Sequence, residues 1–224
     1  MANPTDILDY LPQGKKILAL CGPKGSGKDT AAARLLTRNQ IEGREYFKRL
    51  PFMGPFKDAA SIIFGLTTDE MEDGHLKDVP LDRWPYQTPR QLIIDSAEYF
   101  RAKYDQEVHT RSWLRTVTKV HTQCILVTDL RFPDELERLQ KMGAYVVYVQ
   151  RDSSEAALQA EREMLGEAAS RTESYYALLK RSADFTLTNN SGYESLFAQV
   201  EGLVTSLWGN WLTWSAIPLY QRPA

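Results

Sequence analysis

Cysteine and histidine are scarce: 2 cysteines and 3 histidines in 224 residues. Cys21 and Cys124 each fall inside an apolar, strand-like run, which fits two buried thiols in a reducing compartment and not a disulfide framework. His75, His109 and His121 lack metal-ligand spacing, so a histidine–cysteine zinc centre is not expected. Charge of one sign is missing too. Lys and Arg number 27 and Asp and Glu 29, a formal balance of −2. Without a basic stripe, nucleic acid and anionic membranes are not the expected partners, and an anionic ligand needs a local cluster of cations. No apolar run approaches a membrane span, and Asp6 and Asp9 interrupt the weakly apolar start, so no signal peptide is read and a cytoplasmic location is expected. Repeats and low-complexity linkers are absent as well. The 43% apolar and 25% charged composition is that of a soluble globular chain. One domain over residues 1–224 is the expectation.

What is present begins with Cys21-Gly22-Pro23-Lys24-Gly25-Ser26-Gly27-Lys28-Asp29-Thr30. An apolar run leads in and a helix-forming run leads out, giving strand, glycine-rich loop, helix. Gly22, Gly27 and Lys28 fit the phosphate-loop pattern G-x-x-x-x-G-K. Successive backbone N–H groups in such a loop converge on phosphate oxygens, and the following helix adds free donors and partial positive charge. Lys24, Gly25 and Ser26 complete the cradle, and Lys28 brings a mobile cation to the terminal phosphates. A local absence matters here. The pattern places Ser or Thr after the lysine to reach magnesium, and this chain has Asp29 followed by Thr30. Either Asp29 holds magnesium through water or the Thr30 hydroxyl takes over.

Five short runs read as buried strands: 16–21, 46–50, 124–128, 145–150 and 185–188. Helical patterns lie between them, and that alternation implies a parallel sheet covered on both faces. The expected fold is a three-layer α/β P-loop NTPase fold with a five-stranded parallel sheet and helical insertions. Its core spans about 16–53, 123–150 and 183–207. An acceptor-binding insertion covers about 54–122, a lid about 151–182, and a Trp-rich tail 208–224. A helix opens near Pro89 with an apolar stripe of Ile93, Ala97, Phe100 and Tyr104. Another runs from Pro133 to Met142. The last opens with the capping-box spacing Ser191 and Glu194. Residues 65–88 read as irregular. Trp208, Trp211 and Trp214 fit either a docked carboxyl-terminal helix or an exposed aromatic face for a partner or dimer.

Phosphoryl transfer needs a polyphosphate cradle, cations around the moving group and a site for the acceptor. Asp129 ends a central strand, on the sheet edge where ligands bind, and could order magnesium's water shell, orient the acceptor or simply cap a helix. Arg131 follows it, and Arg151 ends the next strand. Arg162, Arg171 and Arg181 lie in the helical lid, where Arg162 and Arg181 fit solvated surface charges. For the acceptor, Lys57 and Asp58 open one helix and Arg90 another, beside free N–H donors. Trp113 and Tyr104 offer flat faces for a base, with core packing the preferred reading of Trp113.

These residues resemble, in order and spacing, the bacteriophage deoxynucleoside monophosphate kinases. The resemblance rests on Gly22 to Thr30, Gly-Pro-x-Lys-Asp-Ala at Gly54 to Ala59, Pro89-Arg90, Trp113 and Asp129-x-Arg131. It continues through Met142-Gly143-Ala144, Arg151, Thr172-Glu173 and Thr188 to Ser191, and so runs over residues 16 to 207. It implies ATP as donor, Mg2+ as cofactor and a deoxynucleoside monophosphate as acceptor. It places Asn189, in the loop after the last strand, near the adenine; read together with the residues above, Lys28, Asp129, Arg131 and Arg151 are expected to serve catalysis, and Asp29 and Asp129 the metal. Lys57, Asp58, Arg90, Trp113 and Arg131 would bind the acceptor. The aspartate after the loop lysine occurs in that family too. If the chain is phage-encoded, it would work in the host cytoplasm, as monomer or homodimer. The alternatives are a P-loop kinase of another phosphorylated metabolite, similar to dephospho-coenzyme A or phosphomevalonate kinases, and a nucleotide-binding module without turnover.

Overall fold

The computed structural model describes residues 6–7, 14–42, 44–165, 175–210 and 217–218, without the side chains of 38–42, 44, 162, 165 and 217–218. Arg171, Thr172, Glu173, Trp211, Trp214 and the Arg162 side chain therefore lie outside the described residues. The chain forms two compact units. One is built from residues 52–119 with described residues of the first ten, and the other from described residues of 11–51 and 120–224. No described helix is long and apolar enough to cross a membrane.

The larger unit holds the sheet. Strands β1 (Lys16–Cys21), β3 (Phe47–Arg49), β4 (Cys124–Val127), β5 (Tyr145–Gln150) and β6 (Phe185–Thr188) lie in the order β3-β4-β1-β5-β6. All four ladders are parallel, with Ala19 opposite Val127 and Cys21 opposite Tyr148. Helices cover both faces. Leu18 and Leu20 of β1 point to one face, where Ala31, Ala32 and Leu35 of α1 (Lys28–Glu42) join Leu196, Val200 and Val204 of α9 (Tyr193–Trp208). On the opposite face, helices α6 (Pro133–Lys141) and α8 (Tyr176–Ser182) lie against the central strands. There the alternate residues Ile17, Ala19 and Cys21 are buried, as the period of two requires. This is a three-layer α/β P-loop fold.

A small antiparallel pair was not expected from the sequence: β2 (Arg44–Glu45) with β7 (Ile217–Pro218). Two residues on each side give too short an alternation to read. The expected capping box of the last helix does not form. The helix begins at Tyr193 with Gly192 as its cap and no side-chain cap bond. Gln199 instead reaches back along α9, accepting from Thr188 N and donating to Thr188 O.

The smaller unit is helical: α2 (Gly54–Phe64), α3 (Thr68–Glu72), a 3-10 turn at Leu76–Asp78, α4 (Pro89–Lys103) and α5 (Val108–Val117). Pro55 and Pro89 sit at helix starts, where the missing N–H costs nothing. Ala60, Leu66, Leu81, Leu92 and Ile93 form its core. The α4 stripe is buried at Ile93 and Ala97 but exposed at Phe100 and Tyr104. Residues 65–88 are more ordered than their composition implies. Thr67 and Glu70 form a reciprocal capping box that starts α3. Arg83 then grips both Glu70 oxygens at 2.8 Å and the Gly65 carbonyl at 2.9 Å.

The Arg83 guanidinium and the Thr67 amide together hold the Glu70 carboxyl down at about 2. A depressed carboxylate contributes stability that is present above its unfolded value, about 4.3 for Glu, and lost as pH falls through the folded one. Acid unfolding of the wild type followed by circular dichroism should therefore show a component between pH 4.5 and 2 that Glu70→Gln lacks. An unchanged acid profile in that variant contradicts this assignment.

Candidate functional site

Because the five strands are parallel, their carboxyl ends share one edge. On that edge the chain places the loop 22–27 after β1, Arg49 at the end of β3, Thr128 and Asp129 after β4, Arg151 after β5 and Asn189 after β6. Ligands of open α/β sheets bind at this edge.

The loop is held by close approach. Gly22 has φ 140°, and a Cβ there would lie 2.5 Å from the Val149 carbonyl oxygen of β5. Gly27 has φ 103°, and a Cβ would meet the Asn189 amide nitrogen at 2.3 Å. That amide donates to the Ser26 carbonyl at 2.9 Å, so Asn189 buttresses the loop from β6. Asn190 accepts from Asp152 N at 3.1 Å and ties the same segment to α7 (Asp152–Leu165). Ser26 is fully buried, and its hydroxyl has no partner among the described residues. Lys24 and Gly25 are exposed on the outer turn, and the Arg151 guanidinium reaches the Gly25 carbonyl at 3.5 Å.

Lys28 opens α1 and leans back over the loop, 3.4 Å from the Pro23 carbonyl. Burial pushes its ammonium below the usual lysine range. Asp29 pulls it back up, Arg131 lowers it further, and Asp129 raises it. Four of the expected residues thus share one electrostatic neighbourhood. Cys21, beneath the loop, is pushed up to about 12 by burial, with Lys28 opposing, and Cys124 is raised by burial as well. Both thiols stay protonated and inert at neutral pH.

Two residues that sequence reading missed complete the edge. Glu135 is buried on α6 and accepts from the Arg131 and Phe132 amides at 3.0 and 3.1 Å, fixing the loop that carries Asp129 and Arg131. In sequence it looks like one more acid on a charged surface helix. Arg49 donates through Nε to Thr128 Oγ1 and through Nη2 to Asp29 Oδ1, both at 2.9 Å.

Asp29, Thr30 and Asp129 offer two carboxylates and a hydroxyl near Lys28. No group of three His, Cys, Asp or Glu side chains suited to a metal occurs among the described residues. That set fits magnesium brought in by phosphates, since Mg2+ keeps several waters and uses one or two carboxylates.

The remaining expected residues lie in the smaller unit. Lys57 pairs with Glu72 at 2.5 Å, and Arg90 forks onto both Asp78 oxygens at 2.5 and 3.0 Å. Asp58 is exposed on α2. Trp113 is 0% exposed and packs on Phe52 with ring centroids 4.9 Å apart. Its ring has no open face for a base, which corrects the platform reading. The core-packing alternative is what the structure shows.

No protein-family model matches the chain. A relative from Acanthamoeba polyphaga mimivirus, described as "Putative deoxynucleotide monophosphate kinase", is 28% identical over 200 residues, covering 82% of this chain and 93% of its own. Among solved structures, dephospho-CoA kinase from Campylobacter jejuni is 12% identical, with a TM-score of 0.49, over 87% of this chain and 98% of its own. Shikimate kinase from Aquifex aeolicus is 16% identical, with a TM-score of 0.39, over 88% and 99%.

The geometry at Gly22 predicts a graded response to added methyl groups. Gly143 also has a left-handed φ, 71°, but open space around it. Gly143→Ala should cost about 1–2 kcal/mol of backbone strain alone. Gly22→Ala should cost at least about twice that, because carbonyl and loop must part. Urea unfolding of both variants checks the order, and equal losses contradict the close approach.

Proposed function

We propose that the chain is an ATP-dependent kinase that transfers the γ-phosphate to a deoxynucleoside monophosphate, giving the diphosphate. The observation that carries this reading is the loop lysine Lys28, half-buried at the start of α1 and leaning over the loop, within electrostatic reach of Asp29, Arg131 and Asp129 on the ligand edge of the sheet. The mimivirus relative, aligned over most of both chains, supports the same acceptor class.

In this reading, the triphosphate lies along the backbone N–H groups that follow Pro23, from Lys24 to Lys28, with Lys28 on its terminal phosphates. An acceptor phosphate oxygen attacks the γ-phosphorus in line, and the bond to the β-bridging oxygen breaks to release ADP. The acceptor phosphate is already anionic, so no covalent protein intermediate is needed. Lys28, Arg131 and Arg151 offset charge on the equatorial oxygens. Mg2+, when bound, would neutralise charge on the phosphates, held by Asp29 or Thr30 and by Asp129 through water. Asn189 holds the loop and borders the adenine. Lys57 and Arg90, beside Asp58 in the smaller unit, exchange their carboxylate partners for the acceptor phosphate.

The burial of Trp113 removes one of the two aromatic faces expected for a base, while Tyr104 is exposed, and so motivates a test of a second reading, a kinase whose acceptor is a phosphorylated metabolite without a base. One experiment separates the two: coupled ADP release with each deoxynucleoside monophosphate and a panel of base-free phosphorylated acceptors. Turnover is expected with at least one deoxynucleoside monophosphate, and Lys28→Ala should lower kcat by about 10²–10³-fold. Activity only on base-free acceptors supports the second reading. Turnover unaffected by Lys28→Ala contradicts both.

A further inference from the structure

Arg49 is a charged group on the ligand edge to which neither the phosphate-loop pattern nor the proposed reaction gives a role. It ends β3, an edge strand separated from β1 by β4. Its Nε is anchored on Thr128, a buried neutral hydroxyl. Its Nη2 goes to Asp29, whose side chain is 60% exposed. One guanidinium thus links the ends of β3 and β4 to the first turn of α1.

Asp29 occupies the position at which phosphate loops carry a neutral hydroxyl. A carboxylate at that point stabilises the helix N-terminus but repels an incoming polyphosphate. The carboxylate therefore needs a cation beside it whether or not a metal is present. We propose that Arg49 is a positioning residue for Asp29: it neutralises that carboxylate while no metal is bound, and yields it to the divalent cation that arrives with a nucleotide. Thr128 keeps the guanidinium at the edge after the exchange. This inference rests on the reading of loop 22–28 as a nucleotide site.

The test is calorimetric titration of the full chain with ATP, once in EDTA and once in excess Mg2+. It compares wild type, Arg49→Met, Arg49→Lys and the double variant Arg49→Met/Asp29→Asn. Arg49→Met should weaken metal-free ATP about tenfold, because an unpaired carboxylate then faces the phosphates. It should leave MgATP within about threefold, because the cation takes over the carboxylate. Arg49→Lys, which keeps the charge, should lie between, and removing the Asp29 charge in the double variant should restore metal-free binding. Equal losses with and without Mg2+, no loss in either, or a loss that Asp29→Asn does not rescue overturns the proposal. Wild type silent toward both forms of ATP overturns the nucleotide reading itself, and this inference with it. Effects confined to the variants leave that reading intact.

Discussion

Between the end of β1 and the first turn of α1 the main chain runs so close to its neighbours that two positions have no room for a Cβ. At Gly22 the obstacle is the Val149 carbonyl of the adjacent strand, and at Gly27 it is the Asn189 amide. The rest of the site depends on this approach. It shapes the turn between β1 and α1, and it sets Lys28 at the start of the helix, leaning back over the loop toward the Pro23 carbonyl. The buttress comes from β5 and β6, so the loop's shape is fixed by strands distant in sequence from the glycines that permit it.

The parallel sheet carries the second half of the arrangement. With β1 central, the ends of β3 and β4 bring Arg49, Thr128 and Asp129 to one side of the loop, and those of β5 and β6 bring Arg151 and Asn189 to the other. Hydrogen bonds then refine what topology supplies. Glu135 fixes the amides of Arg131 and Phe132, Asn190 fixes the start of α7, and Arg49 joins Asp29 to Thr128. Glu135 and Thr128 are buried while Asp29 and Asn190 are exposed, and polar contacts of this sort set geometry more than they add stability. The smaller unit has its own version, with Arg83 on Glu70 and Arg90 on Asp78.

Much of the fold was legible because its signals are local. Runs such as 16–21 and 145–150 are short, apolar and bounded by turn residues, and they form strands with those limits. The glycine loop was legible because only glycine suits positive φ and close approach. What stayed hidden depends on partners far along the chain. Arg49 sits beside Lys48 in a run whose charge weakened the strand signal, and its role comes from Thr128 and Asp29 on other elements. Glu135 reads as a solvated acid until it is seen bonding backward to two amides. The last helix drops the capping box that Ser191 and Glu194 spell out, because Gly192 caps it and Gln199 secures the preceding strand. Trp113 is ambiguous by composition, and burial against Phe52 decides it.

The central claim is that the loop following β1 grips a polyphosphate. Isothermal titration of the folded wild-type chain with magnesium-loaded ATP tests it most directly. The account predicts saturable heat at one site per chain, with competition by ADP. A folded chain that gives no heat across millimolar nucleotide would contradict it.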